Sequence, residues 1–168
     1  MNGFVECSLE QQGAAILEIF NDAIAHTTAL YDYQERTLDD MRSWFAAKHE
    51  GNLPVVGLES SDKKLMGFAT YGRFRPQAAY LHTVEHSVYV HSDYRGNGLG
   101  RTLLVELIQR AKEQGHHQML GLIDAQNEAS IHLHQSIGFQ HAGTLKEVGY
   151  KFERWLDVEI YQLPLASH

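Results

Sequence analysis

Cysteine, proline and long apolar runs are scarce in this sequence, and each shortage narrows the class of protein. Cys7 is the one cysteine among 168 residues, so no disulfide can form within the chain and a reducing compartment suits it. No apolar run approaches the roughly 20 residues of a membrane-spanning helix, and residues 1–10 lack the pattern of a secretory signal. The 3 prolines mark no linker. We therefore expect a cytoplasmic protein with no membrane partner.

Positive charge is also in short supply. The 14 Lys and Arg residues face 21 Asp and Glu residues, and the formal net charge is -7. Because phosphate backbones are bound mainly by clustered Lys and Arg, this balance argues against a nucleic-acid partner. A bound polyanion would need a local basic pocket. The length and the 43% hydrophobic content are typical of one globular domain, which we expect over residues 1–168.

Hydrophobic periodicity predicts a mixture of strands and helices. Ser8 with Gln11, and Thr37 with Asp40, have capping-box spacing, and each pair precedes an apolar helical stripe. Two more helices are predicted over 103–111 and 129–137, ending near Gly115 and Gly138. Strands are predicted at 4–8, 55–58, 65–71, 84–90, 119–123, 139–144 and 158–163. Hairpins followed by strand–helix alternation indicate an α/β (α+β) layer on one sheet.

A glycine-rich loop is the most informative stretch. The apolar strand that ends at Val90 leads into Arg95-Gly96-Asn97-Gly98-Leu99-Gly100-Arg101, and a long helix follows. Backbone N–H groups of such a loop can point at phosphate oxygens, and the helix start adds partial positive charge. The loop lacks the Gly-Lys-Ser/Thr of a P-loop, and its third glycine comes one position too early for a dinucleotide fingerprint. A surface turn before a helix is the alternative.

In its context this loop resembles the acetyl-CoA loop of the GNAT N-acetyltransferase superfamily. The resemblance rests on Arg95-x-x-Gly98-x-Gly100 and on a second segment at 127–139. It implies the GNAT fold, with a single mixed, mostly antiparallel sheet splayed at the cofactor site and helices on both faces. It also implies acetyl-CoA as co-substrate, paired with the backbone of the splayed strand. The implied cofactor-binding residues are Val88, Tyr89, Val90, Arg95, Gly96, Asn97, Gly98, Leu99, Gly100, Arg101, Asn127, Ser130 and Ser136.

Three further segments are similar to the phosphinothricin and methionine sulfoximine acetyltransferases of that superfamily. They are residues 82–90, 130–134 and 149–158, in that order over about the last half of the chain. This likeness implies direct acetyl transfer to the α-amine of methionine sulfoximine, methionine sulfone or phosphinothricin. It also implies a homodimer with the sites near the subunit contact. Another amine (a protein N-terminus, a polyamine or an aminoglycoside) and a non-catalytic coenzyme A-binding module are the alternatives.

Two side chains are candidates for the chemistry. The attacking amine must be neutral, and a carboxylate can take its proton directly or through water. Glu85 precedes Val88 by three residues and matches the general base proposed for the subgroup; an exposed or ion-paired strand glutamate is the alternative. His134 stands where many GNAT members have a tyrosine, four residues before a Gly-Phe pair. It can act as an acid toward the thiolate or as structural support.

The acceptor is expected to bind beside Glu85. Arg73 and Arg75 alternate in the loop 72–76, and guanidinium groups can pair with carboxylate or phosphinate oxygens. Phe74 and Tyr31 can add apolar walls, while solvated loop charges are the alternative for the two arginines. The substrate-binding candidates are Arg73, Phe74, Arg75, Glu85, His86 and Ser87.

The spacing of the 11 histidines does not predict a metal site. His132 and His134 lie two apart on a predicted helix and therefore face different directions, and no histidine spacing matches a zinc motif. The aromatic residues Phe20, Trp44 and Phe45 are expected in the core rather than in a binding cage.

Overall fold

The computed structural model describes residues 3–166 and forms one seven-stranded sheet between two helical layers. The strands are β1 (Gly3–Glu6), β2 (Val55–Glu59), β3 (Leu65–Arg73), β4 (Thr83–Val90), β5 (Gln118–Asp124), β6 (Gln140–Lys151) and β7 (Arg154–Pro164). The helices are α1 (Leu9–His26), α2 (Leu38–Glu50), α3 (Leu99–Glu113) and α4 (Glu128–Ile137). The strand order is β1-β2-β3-β4-β5-β7-β6, and every neighbouring pair except β4 with β5 is antiparallel. The predicted mixed, mostly antiparallel sheet is confirmed.

Each face of the sheet carries its own hydrophobic core. On the α1/α2 face, the ring of Phe20 contacts Trp44 and Phe68 edge-on, with ring centroids 5.4 Å and 5.1 Å apart. On the α3/α4 face, Leu107 of α3 packs in one cluster with Val84 of β4. The aromatic residues of α1 and α2 therefore belong to the core, as predicted. None of the helices within residues 3–166 is long and apolar enough to cross a membrane.

The helix starts follow their capping signals with one correction. Thr37 forms the complete capping box at the start of α2. At α1, the hydroxyl of Ser8 accepts a hydrogen bond from the Gln11 amide at 3.2 Å, but Gln12 Oε1 accepts from the Ser8 amide at 2.9 Å. The prediction that the Gln11 side chain bonds the Ser8 amide is therefore wrong, because Gln12 makes that bond. Gln12 is buried, and its amide group also donates to Glu59 at 3.1 Å, which holds it at the helix start.

The C-terminal hairpin departs most from the sequence prediction. Strands were expected only at 139–144 and 158–163, whereas β6 and β7 continue to a turn at Phe152 and Glu153. Both turn residues have positive φ, 52° and 60°, although neither is the glycine or asparagine that usually marks such a turn. Register shifts also interrupt β6 twice, which breaks the alternation that reveals a strand.

Candidate active site

The parallel strands β4 and β5 part in the middle of the sheet. Their pairing ends at Glu85 opposite Leu120, while β4 stays paired with β3 as far as Val90. Residues 86–90 of β4 therefore have no strand partner on the side of β5. The backbone of an extended ligand can pair with such a free strand edge. The sheet thus opens into a V whose vertex lies at Glu85, as the predicted splay requires.

A cavity of about 940 Å³ occupies this V and reaches both faces of the sheet. We call it the central cavity. Among the predicted site residues, its lining includes Glu85, His86, Ser87, Val88, Tyr89, Val90, Arg95, Gly100, Asn127, Ser130 and His134. The structure therefore brings together both catalytic candidates and the free edge of β4.

The glycine-rich loop enters α3 with a left-handed backbone. Gly96 has φ 82° and Gly98, directly before α3, has φ 73°. No side chain caps the helix at Gly98, and the first-turn N–H groups of a helix lack intrahelical acceptors. A Cβ built at Gly98 would meet nothing within 4 Å, so the space in front of the loop is open. The helix start can therefore receive an anion.

The remaining cofactor candidates lie beside the cavity. Gly96, Asn97, Gly98, Leu99, Arg101 and Ser136 are outside its lining. Arg101 donates from Nη1 to Ser136 Oγ at 2.6 Å, which ties α3 to α4. Arg95 lines the cavity and pairs with Asp22 at 3.2 Å. These two arginines bring positive charge to an otherwise acidic molecule.

Glu85 lies at the vertex of the V, half-buried. Burial raises the pKa of its carboxyl group above the ordinary value, and the nearby Arg75 partly opposes that rise. A carboxylate with a raised pKa binds a proton more readily. Along β4, Val84 and His86 point to the α3/α4 face, so Glu85 between them points to the α1/α2 face. A proton acceptor thus lies at the point where the two strands part.

His86 and His134 form a buried pair on the α3/α4 face. Their Nε2 atoms are 2.9 Å apart, and His134 Nδ1 lies 2.6 Å from the carbonyl oxygen of Ser130. A carbonyl only accepts, so His134 Nδ1–H donates to it, and His86 Nε2–H then donates to His134. Burial, then the neighbouring His134, lowers the pKa of His86 to about 3, and burial lowers that of His134. Both imidazoles are therefore neutral.

This pair should make the fold sensitive to acid. The unfolded histidine has a pKa of 6.5, whereas folded His86 stays neutral down to about pH 3. Between these two pH values only the unfolded state gains the proton, so the free energy of unfolding falls as the pH drops. We expect His86→Gln, which keeps a donor toward His134, to reduce the loss of unfolding free energy between pH 7.5 and pH 5. The reduction can reach about 2 kcal/mol. Urea titrations at both pH values measure it, with the exposed His132→Gln as control. Equal losses in the wild type and His86→Gln would contradict the neutral pair.

The structure separates the two arginines that the sequence analysis grouped. Arg73 is the last residue of β3 rather than a loop residue, and its pairing with Val84 places it on the α3/α4 face. Arg75 is in the following loop, 5.4 Å above the Phe74 ring, and acts electrostatically on Glu85. Arg73, Phe74 and Arg75 all lie outside the lining of the central cavity.

The sequence predicted only Tyr31 of one wall of the cavity. This wall is the connection between α1 and α2, residues 27–31. Lys151 of β6 is buried and donates to the carbonyl oxygens of Thr27 at 2.8 Å and Leu30 at 2.6 Å. A Cβ at Gly149 would come within 2.6 Å of the Tyr31 ring. No local pattern reveals these contacts, because they join segments far apart in sequence.

Two charged lining residues were also missed. Asp124 ends β5, and Arg154 begins β7. No group of three or more His, Cys, Asp or Glu side chains within residues 3–166 is arranged to hold a metal ion.

Comparison with known proteins agrees with this geometry. The model of the acetyltransferase (GNAT) family matches residues 14–139. The L-amino acid N-acyltransferase of Escherichia coli is 45% identical over 152 residues, 90% of this chain and 88% of that protein. The L-methionine sulfoximine/L-methionine sulfone acetyltransferase of Pseudomonas paraeruginosa is 41% identical over 165 residues, 96% of each chain.

A solved structure places the likeness in three dimensions. The phosphinothricin acetyltransferase of Sinorhizobium meliloti, in complex with acetyl-CoA, superposes with a TM-score of 0.94 at 30% identity. The match covers 98% of this chain and 89% of that one. With the V in the sheet, the glycine loop before α3 and the family match over most of its length, this chain belongs to the acetyltransferase (GNAT) family.

Proposed function

We propose that the chain transfers an acetyl group from acetyl-CoA directly to the α-amine of a small amino acid analogue. Methionine sulfoximine, methionine sulfone and phosphinothricin represent the acceptor class. The observation that carries the proposal is the position of Glu85, a carboxylate at the vertex of the V in a cavity that reaches both faces of the sheet. Two reactants can therefore meet at one proton acceptor.

The α3/α4 side of the cavity fits acetyl-CoA. Its pyrophosphate would lie at the uncapped start of α3, where the backbone at Gly98 is open and Arg95 and Arg101 are near. The free edge of residues 86–90 would pair with its amide chain, and Asn127 and Ser130 line the same end. Bound there, acetyl-CoA supplies the activated thioester.

Glu85 is the general base of this proposal. The acceptor amine reaches the site largely protonated, and Glu85 takes one proton so that the nitrogen lone pair is free. A nitrogen–carbon bond then forms, the carbon–sulfur bond breaks, and the sulfur leaves with the electron pair. The second proton that the nitrogen loses in becoming an amide passes through water to this thiolate. The raised pKa of Glu85 suits the task, because a more basic carboxylate accepts the proton more readily.

His134 supports the site rather than acting as its acid. Its Nδ1–H is engaged by the Ser130 carbonyl, and its Nε2 accepts from His86. A neutral imidazole in this arrangement has no spare proton to give. Water in the open cavity protonates the leaving thiolate, and the two rings pack against Gly121, where a Cβ would come within 2.8 Å of His86.

Arg75 is the best-placed candidate for the acceptor's α-carboxylate. It acts on Glu85 electrostatically, and in an amino acid the carboxylate and the reacting amine share one carbon atom. Tyr31 lines the cavity on the same face and supplies an apolar wall. Ser87 and Tyr89 of β4 share the face of Glu85 and line the cavity beside it. His86, a predicted substrate-binding residue, points to the opposite face toward His134 and is therefore not assigned to the acceptor.

The test is acetyl transfer to a panel of amines, followed by the release of free thiol. Methionine sulfoximine, methionine sulfone and phosphinothricin should exceed spermidine and an N-terminal peptide in kcat/KM by at least an order of magnitude. A higher kcat/KM for the polyamine or the peptide would mean that the chain is an acetyltransferase with a different acceptor from the one proposed. Binding of acetyl-CoA without thiol release on any amine would favour a non-catalytic binding module.

We also propose one cytoplasmic domain over residues 1–168 that forms a homodimer. Support comes from the β6–β7 hairpin, which exposes a set of large apolar side chains: Leu145, Val148, Tyr150, Phe152 and Trp155. Exposed apolar patches of this kind mark contact surfaces. Light scattering should give twice the chain mass of 19.1 kDa. A monomer at micromolar concentration would remove this part of the proposal.

A further inference from the structure

Asp124 has a buried oxygen that lacks a partner. The side chain is 7% exposed, Oδ1 accepts a hydrogen bond from the Gln126 amide at 2.9 Å, and Oδ2 has no hydrogen-bond partner among residues 3–166. Leaving a buried acceptor unpaired is costly, and a carboxylate can only accept. Asp124 lines the central cavity, so a ligand there can supply the missing donor.

Strand register places Asp124 on the acceptor side of the sheet. Along β5, Met119 and Ile123 point into the core of the α3/α4 face, so Leu120, Leu122 and Asp124 point to the α1/α2 face. Glu85 points to that same face. The Asp124 carboxylate also contributes, after burial, to the raised pKa of Tyr31, which lines the wall above this face. Asp124 and the general base are thus on one side of the sheet.

Asp124 is too far from the vertex to touch the reacting amine. It follows Leu120, the residue opposite Glu85, by four positions on an extended strand. At about 3.3 Å per residue, that is about 13 Å along β5. An acceptor whose amine lies at Glu85 would therefore meet Asp124 with the far end of its side chain.

Arg154 supplies a hydrogen-bond donor at the Asp124 end of the central cavity. Asp124 pairs with Val158 of β7, and Arg154 lies four residues before Val158, so the two charged residues share a face. The Arg154 guanidinium donates to the Gln126 side chain, whose backbone holds Asp124. Both charged residues line the central cavity. This end of the cavity therefore offers one acceptor-only group and one donor-only group.

We propose that Asp124 determines acceptor specificity, by accepting a hydrogen bond from an N–H or O–H at the end of the acceptor's side chain while Arg154 binds an oxygen there. The inference rests on the proposed function. A sulfoximine group fits both residues, because it carries one N–H and one oxygen. A sulfone offers two oxygens and leaves Asp124 facing a lone pair. A phosphinate adds a negative charge against the carboxylate.

The test uses methionine sulfoximine and methionine sulfone, which have nearly the same shape and differ by N–H against oxygen. In the wild type, kcat/KM for the sulfoximine should exceed that for the sulfone by about tenfold or more, the range of one hydrogen bond to a charged group. Asp124→Asn keeps the shape but adds an amide donor that suits the sulfone. Its sulfoximine-to-sulfone ratio should fall to about one or below.

The control is Asp157→Asn, an acid on β7 whose carboxylate is already bonded to the Glu147 amide and Lys146. Its ratio should equal that of the wild type. An unchanged sulfoximine-to-sulfone ratio in Asp124→Asn overturns the inference. If the KM for acetyl-CoA also rises in that variant, Asp124 belongs to the cofactor site instead. If the wild type acetylates neither compound, the proposed function itself has failed.

Discussion

Glu85→Gln is expected to lower kcat by about 10²–10⁴-fold and to leave the affinity for acetyl-CoA unchanged. The amide cannot take a proton from the acceptor amine, yet it has nearly the shape of the carboxyl group. Glu85 is half-buried at the vertex of the V, so the substitution removes a charge without opening a cavity. Thiol release measures kcat, and calorimetry measures acetyl-CoA binding on the same protein.

The dependence on pH separates a base from a merely structural residue. Wild-type activity should rise with pH through the pKa of Glu85, which burial holds above the ordinary value for a glutamate. The deficit of the variant should shrink at alkaline pH, where more of the amine is already neutral. Glu50→Gln, an exposed change at the end of α2, is the matched control. Near-normal turnover of Glu85→Gln at neutral pH would exclude Glu85 as the base. His134→Ala should slow turnover less.

Gly98→Val is expected to remove most of the affinity for acetyl-CoA, with Kd rising by about 100-fold or more. Gly98 has φ 73°, a conformation that a β-branched residue strongly disfavours. The open space that a Cβ would enter is the space proposed for the pyrophosphate. The new side chain would therefore both disturb the start of α3 and occupy the anion site. A loss of about 100-fold corresponds to about 2.7 kcal/mol.

The other end of α3 provides a matched control for this variant. Gly115 has φ 79°, and a Cβ there also meets nothing within 4 Å. Gly115→Val should therefore suffer a similar backbone strain and a similar fall in melting temperature, while calorimetry should find normal acetyl-CoA affinity. If both variants bind acetyl-CoA as the wild type does, the glycine loop is not the phosphate site.

Local signals carried most of the sequence prediction. The glycine loop, the strand before it and the helix after it are neighbours in the chain, so their pattern indicated a phosphate-binding loop, and the resemblance to the GNAT superfamily then implied the splay of that strand. Glu85 became a candidate because it lies on that strand and matches the general base of the subgroup that the chain resembles. Thr37 was found because its cap involves only the next three residues. In each case the partners that determine the structure are close in sequence.

Long-range register determined what the sequence did not reveal. Arg73 was grouped with Arg75 by spacing, yet its pairing with Val84 turns it to the other face. Asp124 and Arg154 are thirty residues apart in the sequence, yet both line the central cavity and are linked through Gln126. The β6–β7 turn has no glycine signal, so the hairpin that carries Arg154 was only partly predicted.

The V that reaches both faces has a kinetic consequence. Under the proposed function, the donor and the acceptor enter the cavity from opposite sides of the sheet, so each should bind while the other is present. Cys7 cannot carry the acetyl group from the donor to the acceptor, because it is outside the cavity lining and burial raises the pKa of its thiol to about 12. Initial rates measured against both substrates should then give intersecting rather than parallel double-reciprocal lines, and no acetylated enzyme should accumulate when the acceptor is withheld.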